Sequence, residues 1–288
     1  MKIKFWGTRG SIPVPGKNTI KYGGNTPCVQ ITQNSSFIII DAGSGIREAG
    51  KNIIAEKLFS EINIFISHTH WDHIQGLPFF APFYEEGYKI NIFSNKISSD
   101  SSNHILDHLL NPDFFPVNRK DLKADVSFFF VDTEKPVFID EFKITTEKVH
   151  HLNNALAFKI SSAGKNVVYM PDNEIYSFDN NDEIIFDDIL KDNKDLINFC
   201  LNADYLIHDC MYSFDDSIQK RGWGHSDNIS LSYFAIHCKI KNLILFHYEP
   251  DYSDKDIDKM VDETSAVLSE RKSQIKVLPA RELLELSI

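Results

Sequence analysis

His68-Thr69-His70-Trp71-Asp72-His73, entered from the apolar run Ile62-Asn63-Ile64-Phe65-Ile66-Ser67, decides the fold of this chain. Three imidazoles and one carboxylate crowd a single turn. Neutral imidazole nitrogens and carboxylate oxygens are good ligands for divalent transition metals. At a strand end, such a turn aims alternate side chains in two directions. His68 and His70 would then serve one ion, and Asp72 and His73 a second. Four ligand-type residues in six, straight after an apolar strand, seldom arise without a metal. A polar turn that merely happens to be rich in histidine is the weaker account.

The spacing H-x-H-x-D-H resembles the signature of the metallo-β-lactamase fold, and the other parts of that superfamily's ligand set follow in order. His151 lies between two strand-like runs, Phe142 to Val149 and Ala155 to Ile160. Asp172 closes Asn166-Val167-Val168-Tyr169-Met170-Pro171, matching the strand-end aspartate that bridges two metals in the family. His247 ends Asn242-Leu243-Ile244-Leu245-Phe246, matching the last ligand. Phe37-Ile38-Ile39-Ile40-Asp41-Ala42-Gly43-Ser44-Gly45 resembles the turn whose aspartate orients the histidine loop without binding metal. The resemblance runs from about residue 2 to 286. It implies an α/β fold, a four-layer αββα sandwich, with residues 1–288 forming one domain and two divalent ions bound. Zinc is the first expectation for those ions, with manganese or iron as alternatives. No sequence repeat links the two halves. His150 competes with His151 for the ligand position; the family register, seven residues before Phe158-Lys159-Ile160, favours His151.

Length and composition agree with that expectation. The chain has 288 residues, 42% of them hydrophobic, enough for a sizeable core. No apolar run approaches 18 residues, so no membrane span is expected. The first residues, Met1-Lys2-Ile3-Lys4-Phe5-Trp6-Gly7, alternate like a strand rather than forming a leader. Cys28, Cys200, Cys210 and Cys238 form no C-x-x-C pair, which suits a reducing cytoplasm.

Punctuation sets the elements. Strands are expected over 2–6, 28–32, 37–41, 62–67 and 89–94. A helix is expected over 46–59 from the spacing of Ile46, Ala49, Ile53, Ile54 and Leu58, and another over 74–84, broken by Pro78 and Pro82. A polar excursion over 95–125 ends in Phe114-Phe115-Pro116 and is placed to cover the site. A second βα series runs from Val126 to Ile288, with helices near 227–239 and 256–271. His104 and His108 share helical i, i+4 spacing but have no third ligand nearby, and they read, like His237, as helix surface.

Accessory residues narrow the class. Phe5-Trp6-Gly7-Thr8-Arg9-Gly10-Ser11 and Tyr22-Gly23-Gly24-Asn25-Thr26 resemble the opening of the phosphodiesterase branch, which includes RNase Z, phosphonate-pathway cyclic phosphodiesterases and cyclic-nucleotide phosphodiesterases. Glycines let backbone approach a ligand, and an arginine can fork onto phosphate oxygens. Arg9, Asn25 and Thr26 are therefore expected to bind substrate, against a structural ion pair for Arg9 at even weight. Gly222-Trp223-Gly224-His225-Ser226 resembles the branch's catalytic histidine motif. Asp204-Tyr205-Leu206-Ile207-His208-Asp209 resembles the strand before it.

The chemistry follows. Two divalent ions about 3.5–4 Å apart can hold a hydroxide at neutral pH and draw charge from a phosphoryl oxygen. The hydroxide attacks phosphorus, and the departing sugar oxygen needs a proton. His225 is expected to donate it, with Asp209 holding the imidazole. Asp72 is counted with them as catalytic as well as a ligand. The net charge of −11 and the acidic stretch Asp179, Asp182, Glu183, Asp187, Asp188, Asp192 and Asp195 argue against nucleic acid, whose binding needs many Lys and Arg contacts. Small phosphodiesters, 3′,5′-cyclic nucleotides first, are the expected substrates. A tRNA 3′-end endonuclease, or a hydrolase of lactones, thioesters or β-lactams, is the alternative. A homodimer is left open.

Overall fold

The computed structural model describes residues 1–57, 59–95, 104–152, 154–176 and 186–288. Six strands of the first half are β1 (Lys2–Gly7), β2 (Cys28–Gln33), β3 (Ser36–Ile40), β4 (Glu61–Ile66), β5 (Lys89–Ser94) and β6 (Asp125–Phe130). The second half holds β7 (Val137–Ile139), β8 (Phe142–Lys148), β9 (Leu156–Ser162), β10 (Lys165–Met170), β11 (Tyr205–Asp209), β12 (Asn242–Phe246) and β13 (Lys276–Pro279). The last strand, β14 (Glu285–Ser287), returns to the first sheet. The sheets have the orders β14-β1-β2-β3-β4-β5-β6 and β13-β12-β11-β10-β9-β8-β7. In each, an antiparallel meander of four strands passes into parallel strands: β14 to β3 then β3 to β6, and β7 to β10 then β10 to β13. The two-fold likeness that no sequence repeat revealed is therefore one of strand pairing.

Period-two alternation explains the layers. In β4, Ile62, Ile64 and Ile66 face a helix-covered outer core, while Phe65 lies in the core between the sheets. In β10, Val168 and Met170 face the other outer core and Val167 and Tyr169 the middle one. Strands buried on both faces read as continuous apolar runs, which is why they were legible. The helices are α1 (Ile46–Glu56), α2 (Trp71–Ile74), α3 (His104–Leu109), α4 (Phe186–Asp192), α5 (Lys194–Cys200), α6 (Phe214–Ser217), α7 (Asn228–Cys238) and α8 (Asp254–Glu270). Helix, sheet, sheet, helix is the four-layer αββα sandwich. No described helix is long and apolar enough to cross a membrane.

Two expectations need correction. The helix expected over 74–84 begins earlier, as α2, and then breaks into 3₁₀ turns at Leu77–Phe79 and Ala81–Tyr84. Pro78 and Pro82 lack the N–H that a continued helix needs, so each sits at the start of a new turn. Helix α1 stops at Glu56 because Lys57 turns left-handed (φ 47°) and returns its N–H to the carbonyls of Ile53 and Ile54; Leu58 lies outside the described residues. In the excursion over 95–125, residues 96–103 are outside them too. Phe114 is exposed, and Phe115 meets Phe79 edge-on at 5.3 Å. Of the acidic stretch after Asp172, Asp179, Asp182 and Glu183 are not described.

Candidate metal centre

Both halves deliver their functional residues from the carboxyl ends of parallel strands, where an open α/β sheet leaves side chains and backbone groups free. Asp41 follows β3, His68 to His73 follow β4, Asp172 follows β10, Asp209 ends β11 and His247 follows β12. Asp41 and His247 hold left-handed backbone (φ 60° and 62°), a strain that non-glycine residues keep only where their surroundings demand it.

Donor atoms of His68, His70, His151 and Asp172 lie within 4.8 Å of one another, as do those of Asp72, His73 and His247. Asp172 joins the two groups. Its Oδ2 is 3.5 Å from His68 Nε2 and 3.6 Å from His151 Nε2. Its Oδ1 is 3.1 Å from His73 Nε2 and 3.4 Å from His247 Nε2. Each carboxylate oxygen thus faces one trio of the others, an arrangement that fits a bridge between two cations. Asp72 Oδ2 lies 3.1 Å from His247 Nε2 and 3.5 Å from His73 Nε2. His150, the competitor, turns away: its Nδ1 meets the Glu174 carbonyl at 3.1 Å and its ring stacks on Tyr176.

The donor set fits divalent metal on its own chemistry. His68 Nε2 and Asp172 Oδ1 are buried with no hydrogen-bond partner, a state that costs free energy unless something else fills the lone pair. Burial pushes the pKa values of His68, His70 and His151 down, keeping their lone pairs available. At His73 burial acts the same way but is outweighed by Asp172, Asp72 and Asp41, and the imidazole is raised well above its ordinary value. Burial opposes ionisation of Asp72, yet His73 and His247 hold its carboxyl well below the usual range. Without metal, a proton on His73 stands where a cation's charge would be.

Outer contacts fix the ring orientations. Asp41 Oδ2 receives His73 Nδ1 at 2.7 Å and the Tyr169 hydroxyl at 2.7 Å, and Asp41 Oδ1 receives the Ser67 N–H at 2.8 Å. His151 Nδ1 donates to the Gly224 carbonyl at 2.9 Å, turning Nε2 inward. Asp41 therefore grips the histidine loop at both ends, Ser67 and His73.

His225 stands beside both groups, its ring stacked on His247 at 5.2 Å and tilted against His151 at 5.1 Å. Its Nδ1 is 2.8 Å from Asp209 Oδ2. Burial works against the charged ring, but Asp209, with Asp172 and Asp72 beyond it, pushes the pKa up to about 9. Asp209 also accepts the N–H groups of Asn173 (3.2 Å), Met211 (2.9 Å) and Ser226 (3.4 Å). A donor atom of His225 also lies within 4.8 Å of those of Asp172 and His247, so distance alone leaves it close enough to compete as a ligand.

The side chains of the three expected substrate-binding residues meet protein partners. Arg9 is fully buried, with Nε on the Gly23 carbonyl and Nη1 on those of Glu249 and Tyr252. Asn25 is held by Glu282, and Thr26 pairs with Ser44 and Gln75. Arg9 and Asn25 tie the N-terminal loop to the second half, and Thr26 ties it to the turn after β3 and to Gln75 at the end of α2. What reaches the site from that loop is backbone: the Ser11 N–H donates to Asp72 Oδ2 at 2.7 Å. Gly10 lies so close to the His247 ring that a Cβ there would come within 2.6 Å of it. Sequence reading also missed Tyr169 and Glu174, whose partners lie far along the chain; no local pattern announces either.

The fold and this cleft define a metal-dependent phosphodiester hydrolase of the metallo-β-lactamase superfamily. Residues 16–269 match the family described as anti-Pycsar protein Apyc1, and the chain belongs to that family. It is 24% identical over 326 residues to the ribonuclease Z of Picrophilus torridus, covering 100% of this chain and 96% of that protein. Among solved structures it resembles the metallo-β-lactamase fold protein YhfI of Bacillus subtilis, with TM-score 0.70, 19% identity and 99% of each chain covered. It also resembles yeast PDE1, with TM-score 0.67, 16% identity, and 100% and 99% coverage.

Proposed function

We propose that this enzyme hydrolyses small phosphodiesters, 3′,5′-cyclic nucleotides foremost, with His68, His70, His151 and Asp172 holding one divalent ion and Asp72, His73, His247 and Asp172 the other. Two such ions, when bound, supply a nucleophile from water at neutral pH and neutralise charge on the phosphoryl oxygens. The remaining work falls to the chain. Asp172 keeps the two ligand trios together, and Asp41 and the Gly224 carbonyl hold the tautomers of His73 and His151. Asp209 occupies His225 Nδ1, which leaves Nε2 as the nitrogen that can hand a proton to the departing sugar oxygen.

The observation that carries this reading is the His225–Asp209 pair: the carboxylate holds Nδ1 at 2.8 Å and favours the protonated ring, leaving Nε2 free to act as an acid. A lactone or thioester hydrolase has less use for such a donor. The formal charge of −11 favours a small mono-anion over a polyanion. The name of the Picrophilus relative favours the second reading, cleavage of tRNA 3′ ends, and a pre-tRNA substrate belongs in the same assay.

The test compares leaving groups. His225→Ala should slow a cyclic nucleotide by roughly a hundredfold or more. It should slow bis(p-nitrophenyl) phosphate far less, since nitrophenolate departs as an anion, with metal content unchanged at two. Equal losses on both would make His225 a positioning or structural residue. Lost metal would place it among the ligands, and no loss would revive the lactone-type alternative.

A further inference from the structure

Glu174, two residues after Asp172, grips the two glycine amides of the loop that carries His225. Its Oε1 accepts the Gly222 N–H at 2.8 Å and its Oε2 the Gly224 N–H at 2.9 Å. Both glycines hold left-handed backbone, φ 80° and 85°. Alternate N–H groups turned to one side form a concavity suited to an anion, and here the anion is the chain's own carboxylate. The Glu174 backbone is anchored too: its N–H donates to the His150 carbonyl at 3.0 Å, and its carbonyl meets His150 Nδ1 at 3.1 Å. Two residues earlier lies Asp172; one residue after Gly224 lies His225.

We propose that Glu174 is a positioning residue for His225, a clasp that fixes the 222–225 loop over the metal centre. This rests on the proton-donor reading of His225. Asp209 sets the direction of the imidazole and accepts the Ser226 N–H after it, while Glu174 holds the two glycine amides before it. Three links make the mechanical path: Glu174 to the Gly222 and Gly224 amides, Gly224 to His225 by one peptide, and His225 Nδ1 to Asp209. Charge-assisted bonds to backbone N–H groups are among the stronger and shorter ones. A slip of about 1 Å in a donor's placement costs on the order of a hundredfold in rate, so an unclasped loop would act on the proton-transfer step before it affected binding.

Glu174→Gln keeps the shape but turns an NH₂ towards one of the two amides, so one bond is lost; Glu174→Ala removes both. On a cyclic nucleotide, Glu174→Gln should lower kcat about tenfold with KM within about twofold. On bis(p-nitrophenyl) phosphate it should lose less than about threefold, with two metals still bound. Combined with His225→Ala, it should add no further loss on either substrate, since the two act through one group. Amide exchange at Gly222 and Gly224 should accelerate in both single variants.

Equal losses on the two substrates, additive losses in the double variant, or unchanged exchange at the glycines would each overturn the clasp. Loss of metal would mean that Glu174 acts through Gly224 on His151 rather than through His225, which also overturns it. If His225→Ala itself shows no preference between leaving groups, the proton-donor reading falls. Glycine exchange and the double variant then still decide whether Glu174 works through His225.

Discussion

Gly224 offers a sharp test of how the first ligand group is held. A Cβ built there would lie 2.2 Å from His151 Nδ1, where ordinary contacts begin at 3.4 Å. His151 would have to retreat by about 1.2 Å, while metal sites tolerate only about 0.2 Å in ligand distance. The shift would also break its bond to the Gly224 carbonyl, and losing such an outer partner typically costs 10- to 100-fold in metal affinity. Gly222 is the built-in control. It shares a left-handed backbone (φ 80° against 85°), yet a Cβ there meets nothing within 4 Å. Each alanine should cost about 1–2 kcal/mol of backbone strain, and Gly224→Ala adds the clash with His151, so its metal-free form should unfold no higher than that of Gly222→Ala. Metal affinity should part them. In competition with a chromogenic chelator, Gly224→Ala should release one of its two ions roughly 10- to 100-fold more readily than Gly222→Ala. Equal affinity in the two variants would refute the reasoning: the Gly224–His151 contact would then not be what holds the ligand.

Other outcomes follow from the same geometry. Asp172→Ala should lower bound metal from two towards one and abolish hydrolysis, as elemental analysis and turnover would show, because nothing then offsets repulsion between adjacent cations. His151→Ala should weaken metal binding far more than His150→Ala, whose ring stacks on Tyr176 outside the cleft; the reverse order in a chelator competition would shift the ligand by one residue. In metal-stripped protein, the pKa of His225 is raised from 6.5 to about 9. Its pairing with Asp209 should therefore stabilise the fold fully below pH 6.5 and lose that effect as pH rises through 9. The gap in denaturation midpoint between the parent and His225→Gln should shrink over that window, and a gap independent of pH would contradict the raised pKa. Arg9→Lys should destabilise the fold, since Lys cannot reproduce the fork onto the carbonyls of Gly23, Glu249 and Tyr252. It should leave KM nearly unchanged; a large rise in KM with normal stability would return Arg9 to the substrate.

The part of the site that was legible in the sequence was the part written at strand ends. His68 to His73, Asp172 and His247 each follow an apolar run that packs both faces of a sheet, so the last residue before the turn must point to the cleft wherever the strand lies. The contacts of the N-terminal loop were illegible for a related reason. Thr8-Arg9-Gly10-Ser11 has the composition of a phosphate-binding turn, but composition does not say which way a side chain faces. Arg9 turns inward because the chain must tie residues 8–10 to Tyr248, through a backbone bridge and the carbonyls after it. That tie is made across more than 230 residues and leaves no local trace. Glu174 was hidden in the same way, since its partners lie about 50 residues on. The strand β14 was invisible because three residues carry too little pattern to register.

Two buried carboxylates, one from each half, do matching work with different outcomes. Asp41 accepts the Ser67 N–H and Asp209 those of Asn173, Met211 and Ser226, and each holds one imidazole by Nδ1, at 2.7 Å for His73 and 2.8 Å for His225. In both cases Nε2 is left for the cleft, and in both the pKa is raised. The surroundings of Nε2 separate them. That of His73 lies between Asp172 and Asp72, at 3.1 and 3.5 Å, where a dication could replace the proton and answer both carboxylates at once. The nearest ring neighbours of His225 are instead the imidazoles of His247 and His151. Asp172 and Asp72 act on it without an ion pair within 4.0 Å among the described residues, so a proton is the cheaper occupant there. On the function proposed above, one dyad design thus yields a metal ligand where carboxylates converge and an acid where they do not. Moving a carboxylate is then the way to interchange them: Asp72→Asn should weaken the hold of the His73 group on its ion, yet leave the Asp209–His225 pair intact and still raised.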